Sequence, residues 1–379
     1  MQIIKTIHLW LGIASGLVVF LVSITGALLV FEEDITLWGH KYAFIPQEEK
    51  AFMTPTALLQ KAESSAPKGM KVASIWYGTK VRSARISFRA NQGSAHADVY
   101  LNPYNAEVLN VDVEEDDHHE ENFFHFMEDG HVRLWLPESI GKPLVGYGTL
   151  AFIVTLITGL IWWYPAKWNR GTVKKSFLIK WKARFKRLTI DLHNVPGFYS
   201  FLIAILLAIT GLYFSFPWVG KASYWMFSGG KEQVQVQFPT SDTSSTAILD
   251  RSELLDRIWK AQGGGMNRNW KQLFISFPIG PTATWVVAAN KYSVSSHATD
   301  LHFYDQYSGR ELHKQDKTTG EILKSDLSYR ILLYNYNIHL GRIGGVFTKW
   351  LAFVICLICA SLPVTGVLIW YNRKWKRLG

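Results

Sequence analysis

The sequence predicts a membrane α-helical protein with four transmembrane helices, organised as two repeats that each carry an inserted α+β domain. Three observations support this fold class: four long apolar segments, motifs that recur in both halves of the chain, and strand patterns in the polar segments between helices. Only 18% of the 379 residues are charged, whereas about a quarter are charged in an average soluble protein. A mean hydropathy of +0.05 is still too low for a chain that lies almost wholly in a membrane.

Each apolar segment is long enough to cross a bilayer, because a hydrocarbon core of about 30 Å requires ~20 helical residues. The segments cover residues 9–31, 144–164, 198–219 and 350–371, and none contains Asp, Glu, Lys or Arg. The first segment has no clear small-residue cleavage site, so we interpret it as a retained helix and not as a signal peptide.

Positive charge is concentrated in the short segments that flank these helices. Residues 165–190 carry nine Lys or Arg and no acid, the tail after Tyr371 adds four, and Lys5 precedes the first apolar segment. The positive-inside rule therefore predicts that these segments and both termini are cytoplasmic. The net charge of +10 reflects this orientation and does not indicate a nucleic-acid partner, which would require a basic patch on a folded domain.

This orientation gives a predicted layout of eight parts. They are a first transmembrane helix (1–31), a first external domain (32–141), a second helix (142–164), a basic cytoplasmic loop (165–190), a third helix (191–219), a second external domain (220–348), a fourth helix (349–371) and a cytoplasmic tail (372–379). The basic loop fits either an acidic electron-donor protein or the anionic lipids of the membrane.

Histidines and Thr-Gly pairs recur at matched positions in the two halves. His8 and His193 open the first and third helices, and each is followed by a glycine four residues later and by a threonine seventeen residues later. His131 and His339 lie 27 and 26 residues before the threonine that ends the second or fourth helix. The Thr-Gly pairs are Thr25-Gly26, Thr158-Gly159, Thr210-Gly211 and Thr365-Gly366. The chain therefore reads as two copies of one unit.

The external segments have an α+β pattern. A short helical pattern, at 56–62 and at 251–260, precedes runs that alternate or are rich in β-branched and aromatic residues. The predicted strands are 84–89, 97–101, 272–277, 284–289 and 300–304. The sequence contains no nucleophile-elbow serine, P-loop or zinc-binding cysteine pairs. Its two cysteines, Cys356 and Cys359, lie within the last apolar segment, where we expect them to pack.

The matched histidines are the candidate cofactor-binding residues. An ionisable residue in or beside a membrane helix is a functional hypothesis by default, although a single interfacial histidine is more often an anchor. Two facing imidazoles can hold a flat macrocycle between helices, and small residues beside them allow it to approach the backbone. We therefore predict that His8 and His193 form one pair and that His131 and His339 form a second pair at the opposite membrane face. His125 is a rival to His131.

Several of these motifs together resemble the PepSY-associated membrane proteins, over nearly the whole chain. They are the His-x-x-x-Gly openings at His8 and His193, His339-Leu-Gly341 followed by Gly344-Gly345, the Thr-Gly-x-x-x-Trp helix ends, and a repeated strand end in which Asn105-Ala106 replaces the usual Thr-Gly.

The resemblance implies PepSY-like external domains and two haem b groups, whose iron has His8, His193, His131 and His339 as axial ligands. It further implies a multi-pass protein of the bacterial inner membrane that reduces ferric siderophore in the periplasm and releases iron(II). The electron donor would be a quinol or a cytoplasmic reductase. We expect the substrate in a concavity between the external domains, above the outer haem.

Two other classes of function remain as alternatives. The external domains can be a non-catalytic, membrane-anchored PepSY binding or inhibitory module, for which the helices are only a scaffold. A secondary transporter built on repeats is disfavoured, because the four apolar segments contain no charged residue and no interrupted helix at the midplane. A haem absorption band in the purified protein would distinguish the reductase from the binding module.

Overall fold

A computed structural model describes residues 2–114, 123–165, 167–245, 249–265, 268, 270–290, 301–317, 320–323 and 327–374. The chain forms two compact units. One contains Met1–Glu33, Glu121–Met226 and Asn335–Gly379, and the other contains Asp34–Glu120 and Phe227–Tyr334.

Eleven α-helices and one short 3₁₀-helix (Lys41–Ala43) lie within the described residues. The α-helices are α1 (Gln2–Leu29), α2 (Glu32–Gly39), α3 (Pro55–Ser65), α4 (Phe123–Arg133), α5 (Glu138–Trp163), α6 (Arg170–Phe177), α7 (Phe185–Ser215), α8 (Pro217–Phe227), α9 (Arg251–Ala261), α10 (Leu327–His339) and α11 (Val346–Lys374). Four of them, α1, α5, α7 and α11, are long and apolar enough to cross a membrane. They contain most of each predicted apolar segment: the first segment ends two residues beyond α1, the second one residue beyond α5 and the third four residues beyond α7.

The four long helices pack as a bundle in which α1 and α7 each contact both α5 and α11. An apolar cluster centred on Leu156, Ala204, Ile355 and Cys359 joins α5, α7 and α11. Cys359 is buried in this cluster and Cys356 is half-buried, and neither forms a disulfide. The packing role predicted for Cys359 is confirmed.

The third apolar segment extends beyond its helix. The segment was predicted to continue to Val219, but α7 ends at Ser215 and α8 begins at Pro217. The residue before a proline is pushed out of the helical region, and Phe216 is accordingly extended, with φ −134° and ψ 111°. The apolar residues after Phe216 therefore belong to a separate short helix.

The second unit is built around β-strands. They are β1 (Met70–Tyr77), β2 (Ala84–Ala90), β3 (His96–Leu101), β4 (Val108–Glu114), β5 (Val236–Gln237), β6 (Gln272–Ser276), β7 (Thr284–Asn290), β8 (Leu301–Asp305), β9 (Glu311–Leu312) and β10 (Gln315–Asp316). Four predicted strands coincide with β2, β3, β6 and β7, and the fifth overlaps β8.

Eight of these strands form one antiparallel sheet in the order β4-β3-β2-β1-β6-β7-β8-β9. Strands β1 to β4 come from the first polar segment and β6 to β9 from the second, so the β1–β6 pair joins the two segments. In this pair Ile75 lies opposite Ile275 and Tyr77 lies opposite Leu273. All four side chains are fully buried in one core with residues of α3 and α9.

The repeated strand-end motif forms the same turn after β3 and after β8. Asn102 N–H donates to Glu107 O (2.8 Å), and Asp305 N–H donates to Arg310 O (2.9 Å). The turns close through Ala106 N–H to Asn102 O and Gly309 N–H to Asp305 O. Ala106 has φ +58° and Gly309 has φ +66°, so both residues are in the left-handed conformation. This conformation costs a glycine little but is unfavourable for an alanine.

Replacement of Ile75 by Ala should destabilise the sheet in both polar segments. The substitution leaves a cavity beside Ile275, and loss of a buried isoleucine typically costs about 2–5 kcal/mol. Hydrogen exchange should therefore show faster exchange in β2 and in β7, with limited proteolysis as a second measure. The exposed, edge-strand replacement Val113→Ala is the control, for which we expect a change within about 0.5 kcal/mol. Faster exchange confined to β1–β4 would contradict the shared core.

Candidate functional site

The four predicted histidines lie as two facing pairs in the helical unit. His8 of α1 and His193 of α7 have ring centroids 6.3 Å apart, with an angle of 86° between the ring planes. His131 of α4 and His339 of α10 have ring centroids 5.9 Å apart, with an interplanar angle of 51°. The structure thus brings together the same residues that the repeat pattern pairs.

The ring separations match two imidazoles bound on opposite sides of one metal ion. Such an ion separates the ring centres by about 6 Å, since each metal–nitrogen bond is about 2 Å and each ring nitrogen is roughly 1 Å from its ring centre. Within the described ranges, no group of three or more His, Cys, Asp or Glu is arranged to hold a metal ion. The donor set at each site is therefore a pair of imidazoles.

The first histidine of each pair is fixed through its Nδ1 atom by a neighbouring long helix. His8 Nδ1 lies 3.0 Å from Thr155 O and 3.3 Å from Thr158 Oγ1 of α5. His131 Nδ1 lies 2.9 Å from Val22 O and 3.3 Å from Thr25 Oγ1 of α1. In both cases the carbonyl belongs to the residue three positions before the threonine.

The second histidine of each pair has equivalent partners. His339 Nδ1 lies 3.1 Å from Leu207 O and 3.1 Å from Thr210 Oγ1 of α7. His193 Nδ1 lies 2.9 Å from Thr365 Oγ1 of α11. Each Thr-Gly pair of the sequence therefore receives a histidine from another helix.

These contacts determine which imidazole nitrogen carries the proton. Each of the four threonines donates its hydroxyl hydrogen to the carbonyl four residues earlier, so that its oxygen is left to accept. The donor–acceptor distances are 2.8 Å for Thr25 to Leu21, 2.8 Å for Thr158 to Val154, 2.9 Å for Thr210 to Leu206 and 2.9 Å for Thr365 to Ser361. A carbonyl oxygen can only accept as well. Nδ1–H must therefore donate, which leaves the Nε2 lone pair free to bind a metal.

The glycine of each Thr-Gly pair gives the imidazole room to approach the helix. A Cβ added to Gly26 would lie 2.8 Å from Cε1 of His131, and one added to Gly159 would lie 3.0 Å from Cε1 of His8. At Gly211 the corresponding distance to His339 is 3.0 Å. The contact is looser at Gly366, where it is 3.5 Å. Glycine costs a helix about 1 kcal/mol relative to alanine, and the close approach explains its presence at positions 26, 159 and 211.

The second pair, His131 and His339, lies on short helices that end before Pro137 and before Gly344-Gly345. Both are near the C-terminal ends of α4 and α10. Burial lowers the pKa of both imidazoles, and that of His339 falls to about 4. The rings are therefore neutral at neutral pH, which is the form that ligates metals.

The turn after His131 is held by its own side chains. Leu134 and Trp135 both have positive φ, at 54° and 57°. Trp135 Nε1–H donates to Phe126 O (2.7 Å), and its ring lies over Gly130, where a Cβ would clash. Backbone strain of this kind persists only where surrounding contacts enforce it, and here it fixes the end of the helix that carries His131.

His125, the rival to His131, lies on α4 with an exposed side chain. In the sequence the Thr-Gly pairs are repeat markers, and the pattern alone does not identify the threonines as hydrogen-bond partners of the histidines. Their recurrence on all four apolar segments was the available signal.

Comparison with known proteins identifies the family. No curated protein matches the chain. The family model of the PepSY-associated TM region matches residues 5–373, which is nearly the whole chain. The four membrane-spanning helices and the histidine pairs described above therefore belong to a member of the PepSY-associated transmembrane family.

Proposed function

We propose that this protein is a di-haem reductase that passes electrons across the bacterial inner membrane to ferric siderophore in the periplasm. The observation that carries the proposal is the fourfold arrangement in which Nδ1 of a paired histidine is held by a Thr-Gly helix while Nε2 is left free. His8 and His193 would hold one haem b, and His131 and His339 would hold the other.

Haem bound by two histidines supplies a one-electron couple with both axial positions filled, which suits electron transfer and not oxygen activation. The chain's own residues hold and orient each site. The Nδ1 hydrogen bonds set the plane of each imidazole, and the glycines leave space beside it. Buried apolar side chains such as Leu156 and Ala204 pack the interior of the bundle.

The two sites lie toward opposite ends of the bundle. On α1, His8 and Gly26 are eighteen residues apart, and the latter contacts His131. At 1.5 Å per residue this separation is about 27 Å, close to the thickness of the hydrocarbon core. Since the basic segments predict a cytoplasmic N-terminus, His8 and His193 would accept the electron and the outer pair would deliver it to the periplasm.

Reduction alone is sufficient to release iron from a siderophore. Ferric siderophores hold iron(III) with hard oxygen donors, and one electron converts it to the softer iron(II), which these donors hold less tightly. No acid or base is required of the protein. The assignment of this substrate rests on similarity to the ferrisiderophore reductase FoxB, carried by His131-Val-Arg-Leu-Trp-Leu-Pro137 within the four-helix layout. A quinol or a cytoplasmic reductase would supply the electron.

Purified protein should contain two b-type haems, and single histidine replacements should remove them one at a time. We expect His339→Ala to lose one low-spin component and His8→Ala to lose the other, because each removes one of two axial ligands. Pyridine haemochrome analysis should then fall from two haems per chain to about one. His125→Ala is the control and should retain both. Absence of haem after expression with adequate haem supply would favour the binding-module alternative.

Replacement of Gly26 by Ala should disturb only the outer site. The new methyl group would lie 2.8 Å from His131 Cε1, so the imidazole must move. Overpacking of this kind costs about 1–3 kcal/mol, or roughly tenfold or more in haem retention. Retention can be measured by haem transfer to an excess of a haem-scavenging globin. Gly12→Ala on the same helix is the matched control, because its nearest neighbour would be 3.7 Å away. Equal effects of the two variants would contradict the assignment.

Reduced protein should be reoxidised by a ferric siderophore. Protein reduced with dithionite and freed of excess reductant is mixed anaerobically with a ferric hydroxamate siderophore, and iron(II) is trapped with ferrozine. We expect His339→Ala to block this reaction while the inner haem stays reducible. Reoxidation that persists without the outer haem would mean that the electron route is misassigned. If no ferric chelate reoxidises the haems, the reductase proposal fails.

A further inference from the structure

A buried guanidinium follows closely after His339 in the chain. Arg342 follows His339 by three residues, in the turn between α10 and α11, and is only 8% exposed. Its backbone is fixed on both sides: Arg342 N–H donates to Asn337 O (2.7 Å), and Gly345 N–H donates to Arg342 O (3.2 Å). The position of this charge is therefore set by the fold and not by a flexible loop.

The guanidinium is only partly paired. Its terminal nitrogen Nη2 is 3.7 Å from Glu33 Oε2, whereas a charge-assisted hydrogen bond is about 2.7–2.9 Å. Its Nε–H is buried and has no hydrogen-bond partner among the residues that the structure describes. A buried donor on a charged group is costly to leave unpaired, so this N–H is a candidate to bind a ligand.

Three carboxylates, those of Glu32, Glu33 and Glu128, belong to the electrostatic surroundings of Arg342. Glu33 and Glu128 are exposed to solvent, which screens them. Burial raises the pKa of the Glu32 carboxyl, Glu128 raises it further, and Arg342 opposes both. The carboxylates of Glu33 and Glu128 thus face solvent, and the ion pair between Glu33 and Arg342 is longer than a hydrogen bond. The unpaired Nε–H is the group left for a ligand.

The contacts of neighbouring rings place Arg342 close to the outer site. Phe214 lies 5.7 Å from the His339 ring and 6.2 Å from the Tyr336 ring, measured between centroids. Arg342 in turn acts electrostatically on Tyr336. Arg342 thus follows His339 by three residues and acts on Tyr336, whose ring shares Phe214 as a neighbour with the His339 ring. A haem carries two carboxylates on one edge of its ring, and a planar guanidinium binds carboxylate well.

We propose that Arg342 binds a propionate carboxylate of the haem held by His131 and His339, and that its charge raises the reduction potential of that haem. This inference rests on the proposed function. A positive charge close to the ring favours the reduced form, which carries one positive charge fewer than the oxidised form.

The test is a spectroscopic redox titration of the intact protein with Arg342→Gln and Arg342→Lys. Loss of the charge should change the reduction equilibrium constant of the outer haem by about tenfold toward the oxidised form, which is 59 mV for a one-electron couple. In Arg342→Lys the reduction potential of the outer haem should stay close to that of the wild type, because lysine keeps the positive charge. The propionate bending bands in the resonance Raman spectrum should move in both variants, because neither replacement side chain offers the planar fork of arginine.

Arg133→Gln is the matched control. Arg133 lies two residues after His131 but is more exposed and already paired with Asp129. We expect no comparable shift in potential and unchanged propionate bands.

The outcomes distinguish a failure of the proposed reductase function from a failure of the role proposed for Arg342. Wild-type protein without haem would overturn the proposed function itself. Haem-loaded Arg342→Gln with unchanged potentials and propionate bands would overturn the role of Arg342 alone. If Arg342→Gln does not retain the outer haem, Arg342→Lys decides: unchanged propionate bands in that variant would contradict direct binding. The inner haem provides an internal measure of folding in every variant.

Discussion

The hydrogen bond from a histidine Nδ1–H to a Thr-Gly helix is the interaction on which the helical unit depends. A buried imidazole needs a partner for its N–H, but most carbonyls of a membrane helix are already used within the helix. The threonine hydroxyl donates its hydrogen to a carbonyl of its own helix, and its oxygen accepts the N–H of the histidine. Because the histidine belongs to a different helix, each bond also fixes the packing of two helices.

The four contacts link the helices in a definite pattern. Helix α5 holds His8 of α1, and α1 in turn holds His131 of α4; α11 holds His193 of α7, and α7 holds His339 of α10. Polar contacts between membrane helices contribute about 0.6–2 kcal/mol each, so four of them are comparable with the total stability of a small domain. The same contacts position all four Nε2 atoms. A change in the packing of these helices therefore also changes the geometry of the histidine sites.

The local features of this protein could be predicted from its sequence, and the long-range ones could not. Apolar length identified the membrane helices, and alternation identified β2, β3, β6 and β7. Strand β1 was missed because a bulge between Val72 and Ser74 interrupts its alternation. The pairing of β1 with β6 joins residues about two hundred positions apart, and no local pattern encodes such a partner. The histidines were found from their recurrence, but the acceptor role of threonine required the distance between helices.

The two histidine pairs have the same ligand geometry in different electrostatic surroundings. Trp162 packs against His8 and is itself covered by the cations of Lys5 and Arg373. The pair of His131 and His339 has carboxylates nearby instead: Glu32, Glu33 and Glu128 act on Tyr336, one helical turn before His339, and the Arg342 guanidinium opposes them.

This asymmetry bears on the direction of electron transfer. Cations raise and carboxylates lower the potential of a nearby haem, so in the proposed role the outer haem is the stronger reductant. A strong reductant suits iron(III) that its chelator holds tightly, but transfer from the inner haem to the outer one is then uphill. The membrane potential offsets the difference, because a negative cytoplasm drives an electron outward by about 2.3 kcal/mol per 100 mV. On this argument the carboxylates keep the outer potential low enough to reduce the substrate, and Arg342 keeps it high enough for an electron from the inner site to reach it.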